Sequence, residues 1–261
     1  MITETQNRWA AQFVAVLPTT LPTAFLSLAA IVVAALCCAP AAAQKIVSPQ
    51  VKNAVERSEK AAKIIDTIMA LPGAEGIPRE VVEKAEAVAV IPHVVKVTVM
   101  FSTTTKGYGV ISRRTPKGWT LPAYYGFGGG GKVASLGSGE SKDIIMFFMN
   151  DKMVDYFQKG RFEFERERAA NGGTVGVSIQ KAVLDRANVF VYALDDGKLS
   201  GLEISNGFWT QLVLNPDNNI NNVLYRMKGR DVIARKPVNA ETLPEGVNAF
   251  QQALTRYSVR Q

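Results

Sequence analysis

The sequence is short of the side chains that most enzymes use for bond chemistry. It has a single histidine, His93, and two cysteines, Cys37 and Cys38, both within the first 43 residues. One histidine cannot build the usual zinc sites, and beyond residue 43 there is no thiol to act as nucleophile or to form a disulfide. His93 follows Ile91-Pro92 and precedes an apolar run, a setting that fits a turn better than a triad. Carboxylates remain as the enzymatic possibility. In "FEFERER", Glu163, Glu165 and Glu167 share one face if extended, but Arg166 and Arg168 interleave as on a solvated surface. A carboxylate enzyme working through Glu203 would be the alternative. The expectation is no enzyme, no catalytic residue, no metal and no cofactor.

Also missing are internal repeats and any Pro-, Gly- or Ser-rich linker after residue 43, so residues 44–261 read as one domain. Residues 1–43 differ: Arg8 is their only basic residue, and Phe25–Ala39 is a 15-residue run without charge. That run is short for a bilayer span and fits a signal peptide, with Ala41 and Ala43 as a cleavage site before Gln44. A retained anchor is the alternative. Ala34 and Ala35 stand where a lipoprotein needs Leu before its cysteine, which argues against lipidation. The expected location is periplasmic or secreted. Removing the segment takes away Glu4 and Arg8, one charge of each sign, so the net charge stays +7. A basic exported protein meets anionic lipid or other polyanions before nucleic acid, and such steering is screened by salt.

From Ser48, an N-cap followed by Pro49, apolar residues recur at three and four residue steps from Val51 to Met69. This predicts a helix whose other face mixes Lys52, Arg57, Lys60 and Lys63 with Glu56, Glu59 and Asp66. "LPGAEG" stops it, and "IPREVVEKAE" predicts a short second helix. Strand signals follow: "AVAVIP" and "VVKVTVMF", then the polar run Ser102 to Thr105 and Lys106-Gly107, as strand, turn, strand, and after them "GYGVISRR", "LPAYYGF", "KDIIMFFMN", "ANVFVYALDD", "LSGLEISNG" and "TQLVLN". "DKMVDYFQKG" reads as a helical turn and "TLPEGVNAFQQALTRY" as a closing helix. The fold class is α+β: one domain dominated by an antiparallel sheet, barrel-like or strongly bent, with helices at both ends.

"GFGGGGKV", Gly126–Val133, satisfies both G-x-x-x-x-G-K and G-x-G-x-x-G. A phosphate loop needs a Ser or Thr after the Lys and a helix to follow. Here Val133 takes that place and another β-type run follows, so neither nucleotide reading holds. Glycine also permits positive φ and close backbone approach. Gly126, Gly128, Gly129, Gly130 and Gly131 are therefore expected in a flexible glycine loop or a bent sheet corner.

In order along the chain, "IPREVVEKAEAVAVIPHVVKV", "GYGVISRR", "GWTLPAYYGFGGGG", "DIIMFFMN" and "VYALDDGKLSGLEISNG" together resemble the SYLF domain family, from about Ile46 to Tyr257. The most specific parts are Ile91-Pro92 followed by Lys96, the turn from Gly118-Trp119 to Pro122, the glycine run, and Tyr192 followed by Gly197, Gly201, Glu203 and Gly207. The resemblance implies phospholipid head-group binding through a basic N-terminal region, with actin regulation in some eukaryotic members. For an exported chain the implied partner is anionic phospholipid, with a protein-interaction or scaffold module of the envelope or a host as the alternative. The candidate lipid-binding residues are Lys52, Lys60, Lys63 and Arg79, with Arg113, Arg114 and Lys117 as a second group around one hairpin. Trp119 and Tyr124 beside that hairpin are either core residues or interfacial anchors.

Overall fold

The first helix begins where its cap predicts: the Ser48 hydroxyl accepts a hydrogen bond from Val51 N at 3.3 Å, and Pro49 needs no such partner. The computed structural model describes residues 48–99, 102–130, 138–158, 162–163, 170–202 and 213–257. The expected export signal with Cys37 and Cys38, Gly131, Glu165 to Arg168, Glu203 and Gly207 lie outside these residues.

Helix α1 (Pro49–Met69) buries Ala54, Ala61, Ile65 and Ile68 on one stripe and ends before Pro72, which cannot continue a helix. Next come α2 (Arg79–Lys84), β1 (Ala87–Val99), β2 (Ser102–Thr115), β3 (Gly118–Trp119), β4 (Ala123–Gly130) and β5 (Ser141–Phe148). The chain continues through α3 (Asp151–Gln158), β6 (Phe162–Glu163), β7 (Ala170–Gly172), α4 (Lys181–Arg186), β8 (Val189–Asp195) and β9 (Lys198–Gly201). It closes with β10 (Val213–Pro216), α5 (Asn218–Tyr225), α6 (Gly229–Ile233) and α7 (Ala249–Tyr257). Among the described residues no helix is long and apolar enough to cross a membrane.

The strands order as β6-β10-β4-β2-β1-β5-β8-β7, with β3 beside β2 and β9 beside β8. Every pairing is antiparallel except β7 with β8. Of the two shapes expected, the open, strongly bent sheet is the one formed. The two valine-rich runs are one strand, β1, and the polar run Ser102 to Gly107, expected to mark the turn after them, is the start of β2, paired with β1. The pairing of β1 with both neighbours slips around His93, which sits at φ 51° in a bulge. A bulge adds residues to one strand only and so bends it, which serves where a turn was expected. Opposite the bulge, Gly109 lets the strands close up: a Cβ there would stand 2.1 Å from the Val90 carbonyl oxygen.

Ala87 to Ile91, Ile144 to Phe148 and Val189 to Tyr192 are all buried, so the middle of the sheet is covered on both faces. Helix α1 crosses β1 and β2 and packs along α7. The fully buried Ser58 ties the two together: its hydroxyl donates to Val247 O at 2.7 Å and accepts from Phe250 N at 3.1 Å. At the far end, Arg256 grips both Asp66 oxygens at 2.7 and 2.9 Å.

Candidate functional site

Lys52, Lys60 and Lys63 are exposed and lie on one outward stripe of α1, Lys60 and Lys63 standing eight and eleven residues after Lys52. Lys60 Nζ is 2.7 Å from Glu56 Oε1, which holds the Glu56 carboxyl below the usual carboxylate range. Arg79 is also exposed, but it sits on α2 and is paired with Glu83 at 2.6 Å.

The second expected group divides. Arg113 and Arg114 are buried, which corrects the expectation of a cationic surface there. Arg113 reaches from β2 to α3 and pairs with Asp151 at 2.6 Å. Arg114 caps the carbonyl end of α2: its Nε donates to Ala85 O at 2.7 Å and its Nη2 to Val82 O at 2.9 Å, while the guanidinium lies 4.4 Å from the Trp119 ring centre. Lys117 alone stays exposed, on the turn before β3. Trp119 and Tyr124 are core residues. Burial raises the Tyr124 hydroxyl well above the ordinary tyrosine value, so it stays neutral.

Between α1 and the β1–β2 pair lies a cleft of about 810 Å³. Helix α1 contributes Asn53, Glu56, Arg57 and Lys60, and the sheet contributes His93, Val95, Val97, Thr104, Lys106 and Tyr108. The strand residues share a face because Val95 opposes Lys106 and Val97 opposes Thr104. Arg57 is fixed twice over: its Nη1 lies 2.9 Å from Asp217 Oδ2, and its guanidinium stands 4.7 Å from the Tyr108 ring centre. Asp217 is itself set by capping α5, accepting from Ile220 N at 3.4 Å. Lys106 Nζ approaches the same ring at 5.3 Å. His93 stands at the rim, its backbone N–H donating to Asp143 Oδ1 at 2.8 Å.

The glycine run adjoins this cleft. Gly126 to Gly130 were expected in a flexible loop or a bent sheet corner; they form the end of β4, paired with β2 on one side and, at Gly126 and Gly128, with β10 on the other. The pairing with β2 along the whole run places these glycines in the sheet and not in a loop. Gly126 opposes Tyr108 and Asn215, and Gly128 opposes Lys106 and Val213. Where these neighbours carry side chains, the glycines carry none, and a trough of about 270 Å³ runs over them. Lys106 and Tyr108 form the wall common to trough and cleft. Sequence reasoning missed Arg57, Lys106 and Tyr108 as site residues. The signal was there in the alternation Thr104-x-Lys106-x-Tyr108, but it acquires meaning only when β2 is set in register against β4.

These features define an α+β domain with an open antiparallel sheet and a cationic cleft under its first helix. Residues 129–257 match the family model described as Ysc84: Las17-binding protein actin regulator, so the chain carries a domain of the SYLF family. The matched segment starts near the end of β4, and α1, β1 and β2 precede it. The family suggests a lipid-binding or actin-regulator-like role. No curated protein and no solved structure matches the chain.

Proposed function

We propose that this is an exported, non-enzymatic protein that associates with anionic phospholipid head groups at an envelope surface. The observation that carries the reading is the stripe of Lys52, Lys60 and Lys63, exposed together along about 16 Å of α1. A basic side chain near an anionic leaflet contributes about 1 kcal/mol. Glu56, paired with Lys60, and the exposed Glu59 share this face and offset part of the attraction, so the stripe supplies roughly 1 to 2 kcal/mol. The overall charge of +7 adds long-range attraction of the same sign. The segment before Gln44 supports export.

Sedimentation of residues 44–261 with phosphatidylglycerol-containing vesicles and with neutral vesicles tests the reading. Binding to the anionic vesicles alone, weakening as salt rises, is expected. Equal failure with both at low salt would end it. A protein-interaction role is the second reading, favoured by the description of the family as Las17-binding actin regulators. Capture of one discrete partner with salt-insensitive binding would distinguish it.

A further inference from the structure

We infer that the cleft under α1, continued by the glycine-floored trough, is a pocket for the phosphomonoester head group of a single anionic lipid. The inference rests on the lipid reading above and adds to the diffuse attraction of the lysine stripe a stereospecific site, with Lys60 common to both.

Charge is the first support. Arg57, Lys60 and Lys106 bring three cationic donor groups to the cleft; Glu56 pairs with Lys60 and Asp217 with Arg57, which leaves one net positive charge. A phosphomonoester presents three strong acceptor oxygens, one more terminal oxygen than a phosphodiester, so three donor groups suit the monoester better. Preorganisation is the second. Asp217 and Tyr108 hold the Arg57 guanidinium before any ligand arrives, so little side-chain entropy is lost when an anion binds. Asp217 stands outside the lining and acts on Arg57 from behind.

Shape is the third support, and it explains the glycines. The cleft is far larger than a phosphate requires, and it shares Lys106 and Tyr108 as a wall with the trough over Gly126 and Gly128. Val95 and Val97 give the cleft an apolar wall, and Val97 is half exposed. A phosphate held by Arg57 and Lys106 would direct its glycerol and first methylenes along this wall and over the bare backbone. The two glycines differ in their constraint. A Cβ on Gly128 would meet Thr105 O at 2.9 Å, so β4 needs glycine there to approach β2. A Cβ on Gly126 would make only ordinary contact with the Tyr108 ring at 3.7 Å. Glycine at 126 therefore keeps the trough clear without being required by the packing.

The test uses two probes, monomeric short-chain phosphatidate and short-chain phosphatidylglycerol, titrated calorimetrically into the wild type, Lys106→Gln, Gly126→Leu and Lys63→Gln. Each protein is also sedimented with vesicles containing either lipid. The wild type should favour phosphatidate by about tenfold, the worth of one charge-assisted hydrogen bond. Lys106→Gln should abolish that preference, and Gly126→Leu should lose phosphatidate binding with its unfolding temperature unchanged. Lys63→Gln should keep the preference in solution while weakening attachment to both kinds of vesicle. A wild type without preference, or an unchanged ratio in Lys106→Gln, overturns the pocket even if vesicles still bind. Soluble phosphatidate bound by a protein that ignores all vesicles would instead uphold the pocket and end the membrane reading, and failure with both soluble lipids and with every vesicle would end both.

Discussion

Asn221 on α5 is buried without a charge to satisfy, and replacing it with alanine gives a stability loss that can be worked bond by bond. Its Oδ1 accepts from Tyr124 N at 3.0 Å, and its Nδ2 donates to Tyr124 O at 2.9 Å and to Asp217 O at 2.8 Å. The amide thus imitates a neighbouring strand for the first part of β4. In Asn221→Ala the two carbonyls keep other donors: Asp217 N still reaches Tyr124 O, and Asn221 N still reaches Asp217 O. Only the Tyr124 N–H is orphaned. An unsatisfied buried donor costs about 1 to 3 kcal/mol, and two lost bonds to acceptors that retain partners add about 0.5 kcal/mol each. The expected loss is about 3 kcal/mol, or roughly 6 to 12 °C in unfolding temperature for a domain of this size. Differential scanning calorimetry on Asn221→Ala and Asn221→Leu would measure it. Leucine refills the space but leaves the same N–H alone, so it should recover only the packing share. A leucine variant as stable as wild type would refute the hydrogen-bond account.

Three further outcomes follow from the same geometry. Gly109→Ala should abolish soluble expression or lower the unfolding temperature severely, because its Cβ meets the Val90 carbonyl at 2.1 Å, whereas Gly126→Ala should unfold within a few degrees of wild type. Burial raises the hydroxyls of Tyr124, Tyr125, Tyr192 and Tyr225 above the ordinary tyrosine value. The unfolded chain therefore loses these protons first: stability is full below about pH 10 and falls as pH rises beyond it, by up to about 1.4 kcal/mol per pH unit for each tyrosine. Circular dichroism alongside tyrosinate absorbance should show one joint alkaline transition, and early ionisation of all four without unfolding would contradict the burial. Finally, Lys52→Gln with Lys63→Gln should weaken binding to anionic vesicles roughly 30-fold at low salt and have little effect at high salt.

Much of this fold could be read from the chain because the signals were local. Ser48-Pro49 marks the start of α1, and the β-type runs at 144–148 and 189–194 are strands β5 and β8. Short helices escaped. Residues 181–186, 218–225 and 229–233 are too brief for periodicity to show, and their packing partners lie far away in sequence. The site was legible only in part. Lys52, Lys60 and Lys63 follow from helical spacing, but Arg113 and Arg114 look as basic as any surface pair. Their burial depends on Asp151 and on the carbonyl end of α2, partners that only the folded chain brings to them. Arg57 became a candidate through Asp217, 160 residues away.

Strand β4 also has a consequence for the order in which the chain assembles. Phe127 pairs with Leu214, 87 residues further on, so during synthesis the outer side of β4 stays without its neighbour until β10 has emerged. Such an unpaired rim is a template for pairing with other chains. Its glycines carry little β-propensity and no apolar side chain, which makes that rim a poor nucleus for aggregation during the wait.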